Sequence, residues 1–173
     1  LRPPPAGWRA SGVCTTRPAM RVGDLAVLRT GDMRFGLQPA TAAVLPASGW
    51  LVQEADMAFP AGIPVLWAPS MARALMALGR RARQSLTAPV IAVTGSAGKT
   101  TTVAMLAQAL APFGPVGLTR QNANLPRGVA WNLASLPADP AHVVLELAIG
   151  RMGENARLAR PDVAIFTTIA AAH

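Results

Sequence analysis

The sequence feature that most constrains the fold is an apolar segment that runs through a glycine-rich turn into an amphipathic segment. Residues 89–94 (PVIAVT) are almost uninterruptedly apolar, which predicts a buried strand. The turn GSAGKTT follows directly, and residues 101–113 predict a helix because their apolar side chains share one stripe (Val103, Leu106 and Leu110). A strand that passes through a tight turn into a helix is typical of parallel α/β proteins.

Two more apolar segments continue this pattern. Residues 142–148 (HVVLELA) and 162–170 (DVAIFTTIA) predict strands, and residues 154–161 between them predict a short helix that ends at Pro161. Strands that alternate with helices and are apolar on both faces indicate a parallel sheet with both faces covered.

The N-terminal half predicts shorter elements. Strands are expected at 22–28, 50–53 and 63–67, and residues 70–84 predict a helix with Ser70 as its cap. Thr87–Pro89 has the composition of a hinge, so we expect two domains, 1–87 and 88–173.

Composition excludes several classes of protein. Apolar residues make up 51% and charged residues 14%, which is incompatible with a disordered chain, and no apolar run is long enough to predict membrane insertion. Cys14 is the single cysteine, so neither a disulfide framework nor a thiolate zinc cluster is expected, and a cytoplasmic location fits. The net charge is +8, but basic residues do not alternate with aromatic ones, so no nucleic-acid partner is predicted.

The glycine-rich turn has the residues that a phosphate-binding loop needs. Its glycines allow backbone N–H groups to converge on an anion at a helix N-terminus, Lys99 supplies a point charge, and Thr100 offers a hydroxyl to Mg²⁺. Val93 stands where the strict pattern has Gly or Ala, so the loop is the shorter form G-x-x-G-K-T-T. The residues predicted to bind the nucleotide here are Gly95, Ser96, Ala97, Gly98, Lys99, Thr100 and Thr101.

The alternative is an ordinary strand–turn–helix connection. The only lysine of a chain that otherwise uses arginine stands in this turn, which favours the phosphate site because a compact ammonium fits between phosphates better than a planar guanidinium. Glu146 also has two interpretations: a carboxylate at the end of a buried strand is either paired with an arginine or bound to a metal ion.

Three segments resemble the Mur ligases, and specifically the MurF branch, which adds D-alanyl-D-alanine. TGSAGKTTT is similar to the nucleotide loop TG-[TS]-x-GKTTT of that family, and residues 144–173 match a second pattern through residues in the expected order. Between them, 122–129 (NANLPRGV) is similar to the family's NxNNxxGVP, and the first domain is similar only weakly, through TTRPAMRVGDLAVL. The matching residues of the second pattern are Glu146, Gly153, Glu154, Leu158, Pro161, Asp162 and His173.

The resemblance implies an ATP-dependent amide (peptide) bond-forming ligase with an acyl-phosphate intermediate, active in peptidoglycan precursor synthesis in the cytoplasm. It implies ATP and Mg²⁺ as cofactors, a carboxylate substrate such as a UDP-linked muramyl peptide, and an amine. It implies a small N-terminal α/β substrate domain, the first half of a P-loop parallel-sheet ATPase domain, and further ligase domains downstream. The residues to which it assigns roles are Lys99, Glu146 and His173 in catalysis, Asn124 at the nucleotide, and Thr100, Glu146 and His173 at the metal.

Departures from the family keep other functions open. Thr15–Arg17 replaces Asp-Ser-Arg in the first domain, Leu125 replaces an asparagine, and 168–171 (TIAA) replaces Asn-Ile-Gly-Pro. The alternatives are a ligase of another carboxylate in specialised metabolism, a non-catalytic Mur-like domain, and a different P-loop ATPase or kinase.

Two geometric expectations follow. The backbone amides of 96–101 should converge on one point. The side-chain oxygens of Thr100 and Glu146 should lie roughly 4–6 Å apart if each is about 2.1 Å from a shared Mg²⁺.

Overall fold

The computed structural model describes residues 3–28, 36–38, 46–54 and 62–169. The chain divides into two compact units, 1–74 and 75–173. The division falls within a helix rather than in the hinge expected at 87–89, and the assignment of ligase domains to 1–87 and 88–173 stays a prediction. None of the helices in the described ranges is long and apolar enough to span a lipid bilayer.

The first unit contains a parallel sheet. Its described strands are β1 (Val13–Cys14), β2 (Leu25–Val27), β3 (Gly49–Val52) and β4 (Val65–Trp67), paired in that order. The buried side chains of these strands pack around Trp50, which is fully buried. Helix α1 (Met71–Ser85) begins after β4, and the Gln53 side-chain oxygen accepts a hydrogen bond from the Met71 N–H at 3.2 Å.

The second unit contains a second parallel sheet and three more helices. In chain order its elements are β5 (Val90–Thr94), α2 (Lys99–Leu110), β6 (Val116–Leu118), α3 (Pro126–Ala134), β7 (His142–Glu146), α4 (Met152–Ala159) and β8 (Val163–Phe166). The described strands lie in the order β6-β7-β5-β8, and all pairs are parallel. The expectation of an α/β fold with parallel sheets is confirmed.

Both faces of the sheet are covered at β5 and β7, as the apolar strands indicated, whereas the edge strand β8 is largely exposed, with Val163 and Phe166 each 51% exposed. Val90, Ala92, Val143 and Leu145 pack on one face against α3 and α4, and Val93 and Val144 pack on the other face against Val103 of α2. The register pairs Val93 of β5 with Glu146 of β7, so Glu146 lies beside the turn that follows β5. In open α/β sheets, ligands bind at this carboxyl edge.

Several element boundaries differ from the sequence prediction. Helix α2 begins at Lys99 instead of residue 101, because Gly98 adopts a left-handed conformation (φ 80°) and serves as its N-cap. Pro112 lies in a 3-10 turn, Ala111–Phe113, so α2 ends at Leu110. Helix α4 ends at Ala159, and Arg160 has a left-handed φ of 41° just before Pro161. The elements that the sequence patterns did not predict are β1, β6 and α3.

Candidate functional site

The glycine-rich loop lies against the chain that follows β8. Thr167 N–H donates to Thr94 O at 3.0 Å, and Ser96 N–H donates to Thr168 O at 2.7 Å. Gly95 has a φ of 141°, and a Cβ at this position would lie 2.2 Å from Thr167 Oγ1. This close approach is possible only for glycine, which explains the first glycine of the motif.

The N-terminal end of α2 has backbone N–H groups that are available to a ligand. The first intrahelical hydrogen bond is donated by Thr102 N–H to Gly98 O at 2.9 Å, so the N–H groups of Lys99, Thr100 and Thr101 have no intrahelical acceptor. Ser96 departs from the expected convergence of amides 96–101, since its N–H is directed to Thr168 O. The N–H groups of Lys99, Thr100 and Thr101, at the N-terminus of α2, are therefore the donors available to an anion.

Lys99 lies across this loop. Its Nζ donates a hydrogen bond to Gly95 O at 2.8 Å, and the residue is half-buried. The ammonium therefore lies over the turn that leads into α2, whose first residues present the N–H groups described above. A positive charge in this position is suited to phosphate oxygens.

Glu146 ends β7 beside the loop and is only 3% exposed. Thr100 Oγ1 donates to its Oε2 at 2.8 Å, and Asn124 Nδ2 donates to its Oε1 at 2.6 Å. The Glu146 N–H donates to Thr119 Oγ1 at 2.7 Å. Each carboxylate oxygen thus has a neutral hydrogen-bond donor, which partly offsets the cost of burying the charge.

The separation of Thr100 and Glu146 is shorter than the expected range of roughly 4–6 Å, and that range was itself too long, because two oxygens that are each about 2.1 Å from one octahedral ion lie only about 3 Å apart as neighbouring ligands. The two oxygens are in direct hydrogen-bond contact at 2.8 Å, because the hydroxyl proton points at the carboxylate. The arginine partner considered as an alternative is not found among the ion pairs of the described residues, in which Arg83 and Arg151 contact Asp162 and Glu154.

Asn124 lies in the loop that follows β6, and hydrogen bonds to its backbone hold it in place beside Glu146. Its backbone O accepts hydrogen bonds from Ala148 N–H at 3.0 Å and from Asn155 Nδ2 at 2.8 Å. Asn122, which belongs to the same sequence motif, has a left-handed φ of 51° and is exposed in the turn. The two asparagines of the motif therefore have different structural roles.

The structure brings three of the predicted site residues into one hydrogen-bonded arrangement at the carboxyl edge, with Thr100 and Asn124 both bonded to Glu146. The fourth, Lys99, precedes Thr100 at the start of α2 and is bonded to Gly95 O of the loop. His173 lies outside the described residues, as do Ala170 and Ala171 of the 168–171 segment. Sequence reasoning missed three further residues that hold this arrangement, namely Thr119, Asn155 and Thr167. Thr119 and Thr167 each follow a strand directly, a position that could have drawn attention to them.

The described part of the chain contains no group of three or more His, Cys, Asp or Glu side chains that could hold a metal ion. Of the residues assigned to the metal, the described ones are therefore the single carboxylate of Glu146 and the hydroxyl of Thr100.

Comparison with known proteins points in the same direction as this geometry. Residues 93–173 match the family model of the Mur ligase middle domain. The UDP-N-acetylmuramoyl-tripeptide–D-alanyl-D-alanine ligase of Synechocystis is 40% identical over 94 residues, which cover 53% of this chain and 21% of that protein. The ligase of the same name from Bacillus subtilis is 34% identical over 137 residues, which cover 68% of this chain and 30% of that protein.

Solved structures of this kind have the same fold. A D-alanyl-D-alanyl ligase from Acinetobacter baumannii superposes with a TM-score of 0.71 at 29% identity, covering 95% of this chain and 37% of that one. MurF from Thermotoga maritima in complex with ADP gives a TM-score of 0.67 at 25% identity, covering 94% and 38%. This chain thus spans only about a fifth to two fifths of these relatives. Residues 93–173 match the middle domain of the Mur ligase family, and the chain as a whole is similar to MurF ligases in sequence and fold.

Proposed function

We propose that the full-length protein is an ATP-dependent ligase that forms an amide bond through an acyl phosphate. The observation that carries this proposal is the contact between Thr100 of the phosphate-loop helix and the buried Glu146 of the neighbouring strand, directly beside Lys99. This contact joins a phosphate-binding element to a carboxylate suited to Mg²⁺, as phosphoryl transfer requires.

The residues at this edge fit both ATP and Mg²⁺. Glu146 and Thr100 provide hard oxygen atoms 2.8 Å apart, and the two donors to the carboxylate, Thr100 and Asn124, are neutral. The ion pairs of the described residues give this carboxylate no cationic side chain as a partner. Bound there by Glu146 and Thr100, with His173 as a third proposed ligand, Mg²⁺ would neutralise charge on the phosphate oxygens.

The chain's own residues have distinct tasks in this proposal. The N–H groups of Lys99, Thr100 and Thr101 hold the phosphates at the start of α2, as in other helix-terminal phosphate sites. Lys99 exchanges its contact with Gly95 O for the β- and γ-phosphate oxygens. Asn124 keeps the Glu146 carboxylate in one orientation and so contacts the nucleotide site indirectly.

The reaction proceeds in two displacements. An oxygen of the substrate carboxylate attacks the γ-phosphorus, the bond to the β,γ-bridging oxygen breaks, and ADP leaves. The amine nitrogen then attacks the acyl carbon, loses a proton, and inorganic phosphate leaves. Because charge develops on the phosphoryl oxygens, positioned donors and Lys99 supply the stabilisation, and no covalent protein nucleophile is needed.

The relatives suggest the substrates. Those of Synechocystis and Bacillus subtilis are named as ligases of UDP-N-acetylmuramoyl-tripeptide and D-alanyl-D-alanine. We assign the same carboxylate and amine to this protein, hence a role in peptidoglycan precursor synthesis in the cytoplasm. The relatives are much longer than this chain, so we expect segments beyond these residues to bind the amine and complete the nucleotide site.

The test is phosphate release from ATP by the full-length protein, supplied with Mg²⁺, UDP-N-acetylmuramoyl-tripeptide and D-alanyl-D-alanine. Release that requires all components, with mass-spectrometric detection of the UDP-linked pentapeptide, supports the proposal. Release with another carboxylate, but not with the muramyl tripeptide, would reassign the substrate to specialised metabolism. Nucleotide binding without release for any carboxylate and amine would indicate a non-catalytic Mur-like domain.

A further inference from the structure

Asn155 is a fully buried polar residue that the proposed chemistry does not use. It lies in α4, whose other buried side chains, Leu158 and Ala159, belong to the apolar core of the second unit. Its Nδ2 donates a hydrogen bond to Asn124 O at 2.8 Å, across 31 positions of sequence. A helix that otherwise packs apolar residues therefore sends one amide towards the loop beside Glu146.

This hydrogen bond joins the helix to the candidate site in two steps. Asn155 contacts the backbone of Asn124, and the side chain of Asn124 contacts Glu146 Oε1 at 2.6 Å. The same carbonyl also accepts the Ala148 N–H at 3.0 Å. Asn124 is thus held both by the connection that follows β7 and by α4. These contacts fix the backbone position from which its side chain extends.

Stability alone does not account for an asparagine at this position. Its Oδ1 is buried and lacks a hydrogen-bond partner within the described residues. A buried acceptor without a partner costs about as much as, or more than, one neutral hydrogen bond contributes. Asn124 O would also keep one donor, Ala148 N–H, if Asn155 were apolar. A side chain of similar size without polar atoms should therefore be tolerated, or even stabilising.

We propose that Asn155 is a positioning residue for the metal–nucleotide site. By fixing the Asn124 backbone, it directs the Asn124 amide onto Glu146, and the carboxylate is thereby held in the orientation that binds a divalent cation next to Thr100. Groups that orient metal ligands from a distance typically change metal affinity by 10–100-fold when they are removed. This inference rests on the proposed function, since it assumes that Glu146 binds the cation.

The experiment compares full-length wild type with Asn155→Leu, and uses Leu158→Met on the same helix as the matched control. The probe is Mn²⁺ together with ADP, whose binding is measured by calorimetry, and thermal melts are recorded in parallel. We expect Asn155→Leu to retain the wild-type melting temperature or exceed it and to bind Mn²⁺ roughly 10-fold more weakly. Leu158→Met should bind as wild type does. If the leucine variant does not fold, Asn155→Ser, whose side chain is too short to keep the bond, should show the same loss of affinity.

A double-mutant cycle tests whether Asn155 acts through Asn124. In an Asn124→Ala background, Asn155→Leu should change Mn²⁺ affinity by less than about twofold, because the intermediary is already absent. Losses that multiply in the double variant would overturn the inference, and so would wild-type affinity in folded Asn155→Leu. Wild type that binds no Mn²⁺ with ADP would overturn this inference and the proposed function together. Normal binding without phosphate release would contradict only the proposed reaction.

Discussion

The Thr100 hydroxyl donates a 2.8 Å hydrogen bond to Glu146 Oε2, which joins the first turn of α2 to the last residue of β7. The carboxylate is 3% exposed and receives a second neutral donor from Asn124. A cation bound to Glu146 Oε2 would replace the Thr100 hydroxyl proton at that oxygen, so metal binding and this hydrogen bond should compete.

Substitution Glu146→Gln separates the charge of this side chain from its size and hydrogen bonding. The amide keeps the size and much of the hydrogen bonding of the carboxylate but removes its charge, so phosphate release by the full-length protein should fall by roughly 10²-fold or more. The melting temperature should change by only a few degrees. Steady-state phosphate release over a Mg²⁺ titration, together with a thermal melt, measures both effects.

Glu154→Gln is the matched control for this prediction. Glu154 lies in α4 in an exposed ion pair with Arg151, and such pairs contribute little. Near-normal turnover is expected for it. Near-normal turnover of Glu146→Gln would instead show that the site does not need the carboxylate charge.

Substitution of Lys99 should affect turnover more than ATP affinity. The ammonium now contacts Gly95 O, and we expect it to meet phosphate charge chiefly as that charge develops in the transition state. Lys99→Ala should therefore lower kcat by roughly 10²–10³-fold. Lys99→Arg should not restore it, because a planar guanidinium does not fit a loop shaped around an ammonium.

The measurement is steady-state kinetics on both variants with ATP varied, and a thermal melt excludes unfolding. An arginine variant with near-normal kcat would contradict the argument. So would an alanine variant in which only the KM for ATP rises.

The loop and the strands of the second unit could be predicted because their signals are local. PVIAVT is apolar without interruption, and the turn after it contains the glycines and the lysine in consecutive positions. Glu146 was identified from a charge within an apolar run, and the structure places it at the end of a strand as expected. The near-continuous apolar runs also indicated burial of both sheet faces, which the structure shows for β5 and β7 but not for the exposed edge strand β8.

The residues that hold Glu146 in place could not be predicted, because their roles depend on tertiary contacts. Asn155 is one polar residue in a short helix, and only folding brings its amide to Asn124 O, 31 positions away. Thr119 follows β6, a strand of three residues that contains a glycine and gives no periodic signal. Helix α3 begins with Pro126 and includes Gly128, so its composition favours a loop although proline is well tolerated at the first helical position.

Arg83 should stabilise the second unit from the end of α1. Its Nε donates to Ala159 O, and its Nη2 donates to Arg160 O at 2.7 Å, so it supplies donors to carbonyls at the end of α4. Burial, with the nearby charge of Arg160, lowers its pKa, whereas Asp162 opposes this shift. Arg83→Ala should lower the free energy of unfolding by about 1–3 kcal/mol, measured by urea denaturation.

Arg81→Ala serves as the comparison for Arg83, because Arg81 is an exposed residue of the same helix. It should change the free energy of unfolding by less than about 0.5 kcal/mol. Equal effects of the two substitutions would show that the contacts of Arg83 with α4 contribute nothing specific.

Cys14 should be unreactive in the folded protein. The residue is fully buried, its Sγ donates to Thr16 O at 3.0 Å, and burial raises the pKa of the thiol. Its stabilising contribution is present below the thiol pKa of the unfolded chain and is lost as pH rises through the folded pKa. Modification by a disulfide reagent at pH 8 should therefore be at least about 10²-fold slower in folded protein than in urea, with Cys14→Ser as the background. Comparable rates would show that the first unit opens readily.

The first glycine of the loop should be irreplaceable, even by alanine. Gly95 has a φ of 141°, and an added Cβ would lie 2.2 Å from Thr167 Oγ1 and 2.9 Å from Thr168 O. Backbone strain and this contact with the chain after β8 together should cost on the order of 2–4 kcal/mol. Relief of the clash requires the loop to move away from Thr167, which would disturb the N–H donors at the start of α2, so nucleotide affinity should fall as well.

Gly153→Ala is the control for Gly95→Ala, since a Cβ at Gly153 meets no atom within 4 Å and the position is helical. The stability of this control variant should be unchanged or slightly higher. Chemical denaturation and calorimetric titration with ADP and Mg²⁺ measure the two effects on each variant. Gly95→Ala with wild-type stability and affinity would show that the loop does not need the close approach to Thr167.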